Sequence, residues 1–202
     1  MDVDFWIDPI CPWCWLTSRW IVDVAPERDL NVTWRPISLL FKNELTSESP
    51  YFDKATHTLG LLRVLEAVKS GESNDAVDRL YSSYGQHIHE EGDYVDADVA
   101  LIDAGIDTKY AEAFDDATFD AHIKAEMAEG LALTGDDVGT PIIGFDNAAG
   151  KRVAFFGPVI SRRLPLKESL DLWDGMMLMG RVDSFWELKR TRTESPHFDL
   201  VK

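Results

Sequence analysis

Two cysteines three residues apart, with no others in the chain, constrain this sequence more than any other feature. The unit Cys11-Pro12-Trp13-Cys14 sits where a strand pattern gives way to a helical one. Val3, Phe5 and Ile7 alternate with Asp4 and Asp8 and stop at Asp8-Pro9, a turn signal. Trp13, Leu16, Trp20, Ile21 and Val24 then recur at helical spacing until Pro26, which is expected to close the helix. Residues 30–35 alternate again and end at Pro36. The opening therefore reads β-α-β, with the cysteines at the strand-to-helix junction. A disulfide-stapled scaffold would spread its cysteines along the chain, so these two serve reactivity or metal binding.

In the first turn of a helix, two such cysteines have Cα atoms about 5 Å apart, within the range of a disulfide. Pro12 suits a first helical position, where no N–H partner is needed. The free N–H groups and the positive end of the helix dipole face Cys11 and favour a thiolate. Cys11 is thus expected to be the low-pKa attacking thiol and Cys14 the thiol that resolves a mixed disulfide. Trp13 offers an apolar platform for substrate and a fluorescent reporter, whereas Asp8 would oppose the thiolate if close. A zinc site is the alternative, with His87-x-His89 supplying the other two ligands. It fits poorly, because Pro12 and Trp13 lead into an amphipathic helix rather than a knuckle turn. Taken alone, the two histidines read as surface or helix-end residues.

Beyond residue 42 the pattern is polar, acidic and helical. Val77, Leu80, Tyr81, Tyr84 and Ile88 mark one amphipathic face, residues 96–104 a shorter helix ended by Gly105, and no strand pattern interrupts residues 54–134. Strand signals resume at residues 141–145 and 152–156 around a hairpin loop, and a last helix is expected over 166–179. Pro141 opens a strand, where proline marks either an edge start or a cis peptide. Residues 1–42 and 118–182 thus read as one discontinuous α/β domain, 43–117 as a helical insertion, and 183–202 as a tail packing on the domain. Lys189, Arg190 and Arg192 in that tail are expected to dock on acidic surface, with an anion-binding role as the alternative. Trp173 and the methionines near it read as core.

The 20 basic residues against 36 acidic ones give a net charge of −16, which argues against binding nucleic acid or an anionic membrane. No secretory signal or membrane span is read, so the expected location is the cytoplasm, where a lone cysteine pair cycles rather than staples. The expected assembly is a monomer or homodimer.

Several segments together resemble a known family. They are Phe5-Trp6-Ile7-Asp8-Pro9-Ile10-Cys11-Pro12-Trp13-Cys14, Ser38-Leu39 with Asn43-Glu44, residues 137–141, residues 154–159 (Ala-Phe-Phe-Gly-Pro-Val) and residues 187–193 (Glu-Leu-Lys-Arg-Thr-Arg-Thr). Over nearly its whole length the chain resembles DsbA-like thioredoxin-fold oxidoreductases, and among them the actinobacterial mycothiol-dependent reductases, also described as nitroreductases. The resemblance implies an α/β thioredoxin-like fold with an inserted helical subdomain. It implies that Cys11 forms a mixed disulfide with the small thiol mycothiol, that Cys14 resolves it, and that the peptide before Pro141 is cis. Pro12, Trp13, Asn43, Thr140 and Pro141 would line the thiol and substrate cleft, and His89 matches a histidine of the insertion. A family tyrosine flanking the cleft corresponds to Asp53, beside Tyr51 and Phe52. The expected activity is thiol-disulfide exchange on small-thiol disulfides or mixed disulfides of proteins. Mycothiol or a similar thiol would be co-substrate, with no tightly bound cofactor and some capacity for nitro reduction. A DsbA-type protein oxidase or isomerase is the alternative activity, and a zinc-binding or redox-sensing interaction protein the third.

Overall fold

The computed structural model describes residues 1–198. Strand β1 (Asp2–Ile7) runs up the centre of a four-stranded sheet of order β2-β1-β3-β4. Its alternation buries Val3, Phe5 and Ile7 on one face, while Trp6 is covered on the other by Leu131 and Ile142. Both faces are therefore packed, as a sheet carrying a parallel crossover requires. β2 (Asn31–Pro36) pairs parallel to β1, whereas β3 (Ile142–Asp146) and β4 (Arg152–Phe156) are antiparallel. Asp4, whose side chain would otherwise be a buried charge, is met by the guanidinium groups of Arg35 and Arg152.

Helix α1 (Pro12–Arg28) makes the crossover from β1 to β2. Pro26 does not end it. Proline costs one i→i−4 bond near a helix end, and the chain continues to a left-handed cap at Asp29, φ 51°, with Leu30 N–H bonded to the Ala25 carbonyl. α1 packs beside the last helix of the chain through Trp20 and Trp173, ring centroids 6.0 Å apart.

Between β2 and β3 the chain is helical throughout. α2 (Leu39–Lys42), α3 (Phe52–Gly71), α4 (Asn74–Gly85), α5 (Ala97–Asp103) and α6 (Asp120–Thr134) are joined by short turns, with 3₁₀ turns at residues 108–115 and 117–119. After α4 the helix widens into a π-helical turn, Gln86–Glu91, a geometry frequent at functional sites. Gly85, just before it, lies against the face of Trp15, and a Cβ there would come within 2.0 Å of the indole. Only glycine lets α4 and α1 approach this closely. After β4, α7 (Leu166–Met179) closes the domain over Phe145 and Trp173. Residues 183–198 then run back across the surface without regular structure.

Candidate active site

The turn between β1 and α1 is fixed before any sulfur chemistry is considered. Cys11 N–H bonds to the Asp8 carbonyl at 3.1 Å, and the buried Asp8 carboxylate accepts from Ile10 N–H at 3.0 Å and Leu39 N–H at 2.6 Å. Those bonds make Cys11 the N-cap of α1, extended at φ −86°, with Pro12 opening the helix. Cys14, one turn on, points its backbone N–H at Cys11 Sγ, 3.4 Å away. The two thiols are unbridged.

The loop before β3 forms the facing wall. The Thr140–Pro141 peptide is cis, and the Thr140 carbonyl lies 3.6 Å from Cys11 Sγ and accepts from its thiol. The Thr140 hydroxyl donates to the Trp6 carbonyl at 2.8 Å and lies 3.2 Å from Cys14 Sγ. Tyr81 of α4 points its hydroxyl at Cys14 Sγ from the opposite side, 3.6 Å away. Cys14 is thus enclosed completely, while Cys11 retains 7% of its surface. Of the two, Cys11 is the one with surface left to meet a second molecule.

Burial sets the protonation. It pushes the Cys11 thiol far above the ordinary cysteine range, with Cys14 adding to the rise and the Cys14 N–H pulling against it. Cys14 is raised to about 11 by burial, against donation from Thr140 and Tyr81. Asp8 is raised to about 6, again by burial, against the N–H groups of Leu39 and Ile10. The low-pKa Cys11 expected from the helix end is therefore corrected: loss of solvent around the sulfur outweighs the favourable N–H groups and holds the thiol protonated.

The structure separates the remaining candidates. Trp13 is half-buried at the rim, and the Arg192 guanidinium lies over its ring, 5.1 Å from the centroid. His89 turns inward from the π-helical turn and donates from Nε2 to the Pro9 carbonyl, 2.8 Å away, two residues before Cys11. Burial pushes its ring down to about 4, so it is neutral at pH 7. The ring lies between Trp15, centroids 6.4 Å apart, and Phe198, 5.5 Å. His87 faces the other way, bonded to Glu91 and Asp103. The pair does not turn toward the cysteines together, and no group of three or more metal-ligating side chains is gathered among the described residues. Asn43 ends α2 as an exposed residue whose side chain bonds none of the groups around the sulfurs among the described residues. Asp53 is exposed in the first turn of α3.

Three contributors escaped the motif reading. Tyr81 stood out only as part of an amphipathic face, although a buried tyrosine hydroxyl needs a partner. The Trp6 carbonyl carries no side-chain signal. Arg192 lies on Trp13 rather than on acidic surface.

Two solved structures similar to this chain carry disulfide chemistry in their descriptions. A putative protein disulfide isomerase from Nitrosomonas europaea is 16% identical, with a TM-score of 0.59, over 87% of this chain and 98% of its own. The cytosolic disulfide reductase DsbM from Pseudomonas aeruginosa is 15% identical, with a TM-score of 0.53, over 90% and 98%. These likenesses show a DsbA-like thioredoxin fold. Among curated sequences, the uncharacterized protein Rv2286c of Mycobacterium tuberculosis is 27% identical over 197 residues, 95% of this chain and 82% of the relative. The model of the Rv2466c-like family, described as mycothiol-dependent nitroreductase Rv2466c, matches residues 10–190, and the chain belongs to that family.

Proposed function

We propose that the chain is a thiol-disulfide oxidoreductase working as a reductase, with a low-molecular-weight thiol of the mycothiol type as its electron source. One observation carries this reading: Cys11 at a helix N-cap keeps 7% of its surface while Cys14, one turn on, keeps none and aims its N–H at Cys11 Sγ from 3.4 Å. The Cys11 thiolate attacks one sulfur of a disulfide, the S–S bond breaks, and the leaving thiolate takes the electron pair and a proton. Cys14 then attacks the Cys11 sulfur of the mixed disulfide and releases the second thiol. The dithiol loses two electrons and the substrate gains them; two small thiols restore it. The N–H of Cys14 stabilises the Cys11 thiolate before it attacks, and the Tyr81 hydroxyl does the same for Cys14 as it ionises.

The discontinuous domain, the insertion over 43–117 and a cytoplasmic, monomeric or homodimeric protein belong to the same proposal. Among the described residues no helix is long and apolar enough to cross a membrane. Nitro reduction, carried in the family's name, is proposed as a secondary activity, weakened by Asp53 where the resemblance places a tyrosine.

The test is mass spectrometry of Cys14→Ser protein isolated from its own cells. A mycothiol adduct on Cys11 is expected, and an unmodified Cys11 or an adduct with protein alone would overturn the small-thiol coupling. A titration followed by tryptophan fluorescence should place the potential nearer about −270 mV, the value of a reductase such as thioredoxin, than about −120 mV, that of the oxidase DsbA.

A further inference from the structure

The tail places a cation on the indole of Trp13, the residue that follows Pro12 in the Cys11–Cys14 unit, in a chain whose charge is otherwise strongly negative. Residues 183–198 are held on both sides of that cation. Phe185 packs on Phe155, centroids 5.9 Å apart. Beyond it, the Glu194 carboxylate accepts from the Ser161 hydroxyl at 3.0 Å and lies 3.9 Å from Arg162. His197 N–H bonds to the Ser161 carbonyl at 2.7 Å, and Phe198 lies on His89. Arg192, between these anchors, has its guanidinium over the indole of Trp13, the residue between the two cysteines.

A guanidinium stacked by its face keeps its N–H groups in the plane, directed outward from the ring edge. Arg192 is exposed, and among the described residues it has no ion pair or hydrogen bond to a carboxylate. Lys189 and Arg190 are exposed in the same run. An anion approaching Cys11 meets the repulsion of the whole chain, and this is the place where that repulsion is locally reversed.

We propose that Arg192, seated on Trp13, is a specificity-determining residue that directs Cys11 to disulfides carrying a carboxylate near the S–S bond. This rests on the thiol-disulfide reading of Cys11. The planar fork pairs with the carboxylate while the sulfur beside it is attacked, and the indole supplies the apolar floor under the rest of the molecule. The charge acts on the oxidised substrate and asks nothing of the thiol that later restores the dithiol.

The experiment is stopped-flow reaction of the fully reduced protein with two reagents. One is 5,5′-dithiobis(2-nitrobenzoate), a dianion; the other is 2,2′-dipyridyl disulfide, which is neutral. Arg192→Gln should lower the anion-to-neutral rate ratio roughly tenfold, the loss of one charge-assisted hydrogen bond. Arg192→Lys should retain part of it. Added salt should reduce the wild-type ratio and raise that of Arg192→Gln, in which the repulsion of the chain is no longer offset. An unchanged ratio in Arg192→Gln would overturn the proposal, as would an equal change with both reagents, which would mean that Arg192 only covers the sulfur. The stoichiometric reaction needs no turnover, so failure of the reductase reading shows separately, as absence of catalysis with a thiol donor.

Discussion

The two walls of the cleft are built differently. The inner wall is the two cysteines with Trp6, Asp8, Tyr81 and Thr140, all buried and hydrogen-bonded around the sulfurs. The outer wall is Trp13, Arg192, His89 and Phe198, rings and one cation contributed partly by a tail with little regular bonding. Bonds are made and broken against the first, and molecules are sorted at the second. A wall holding a reacting sulfur must stay fixed to keep donors aimed at it, whereas a wall that admits substrates must be cheap to displace.

Replacing the reacting atom should have the largest effect. Cys11→Ser is expected to abolish disulfide reduction while leaving the folded circular dichroism spectrum intact. Retained turnover would break the assignment of chemistry to the inner wall.

Next in size is a pH effect at Asp8. Its folded pKa is raised above the unfolded carboxylate value, so the stability it contributes is full below about pH 4 and is lost as pH rises through about 6. The loss amounts to about 3 kcal/mol at most. His89 has the opposite sign, its depressed pKa giving stability that is present above about pH 6.5 and lost as pH falls toward 4. Urea unfolding of the wild type and Asp8→Asn between pH 4 and pH 8 isolates Asp8, because His89 is common to both. The slope should differ between them, with the wild type losing stability relative to the variant as pH rises.

Smaller effects compare the walls directly. Thr140→Val removes the hydroxyl that donates to the Trp6 carbonyl and leaves that buried acceptor short of a partner, at a cost of about 1–2 kcal/mol. Phe198→Ala on the outer wall should fall within about 0.5 kcal/mol in the same denaturation assay. A larger loss at Phe198 than at Thr140 would erase the distinction.

The inner wall was the more legible in the sequence. Alternation at Val3, Phe5 and Ile7, helical spacing from Trp13 and the Thr140-Pro141 signal each report a local preference, and each marks an element or loop that reaches the sulfurs. The last helix, read over 166–179, is α7 with those ends. Pro26 misled because a proline in a last turn removes one bond where little remains of the helix to break. His87 and His89 diverge as residues two apart do on any helix, whereas the π-helical widening over Gln86–Glu91 is invisible to a 3.6-residue period. Arg192 on Trp13 and Tyr81 on Cys14 are contacts between segments 179 and 67 residues apart, which no local pattern encodes.

The sulfurs belong to the same continuous core as Val3 and Phe5 of the sheet, Val64 and Leu65 of α3, Tyr81 of α4 and Ala100 of α5. The helices between β2 and β3 therefore share most of their buried surface with the sheet, beyond a small separate cluster at Leu59, Leu62 and Ile123, and heat should unfold the chain in one calorimetric transition. A thermodynamic cycle then links the two states of the cysteine pair: whatever the disulfide adds to or subtracts from the stability of the whole chain must reappear in its reduction potential, about 30 mV for each 1.4 kcal/mol. Substitutions deep in the helices, far from any sulfur, can tune the redox chemistry simply by favouring one packing of that shared interior over the other.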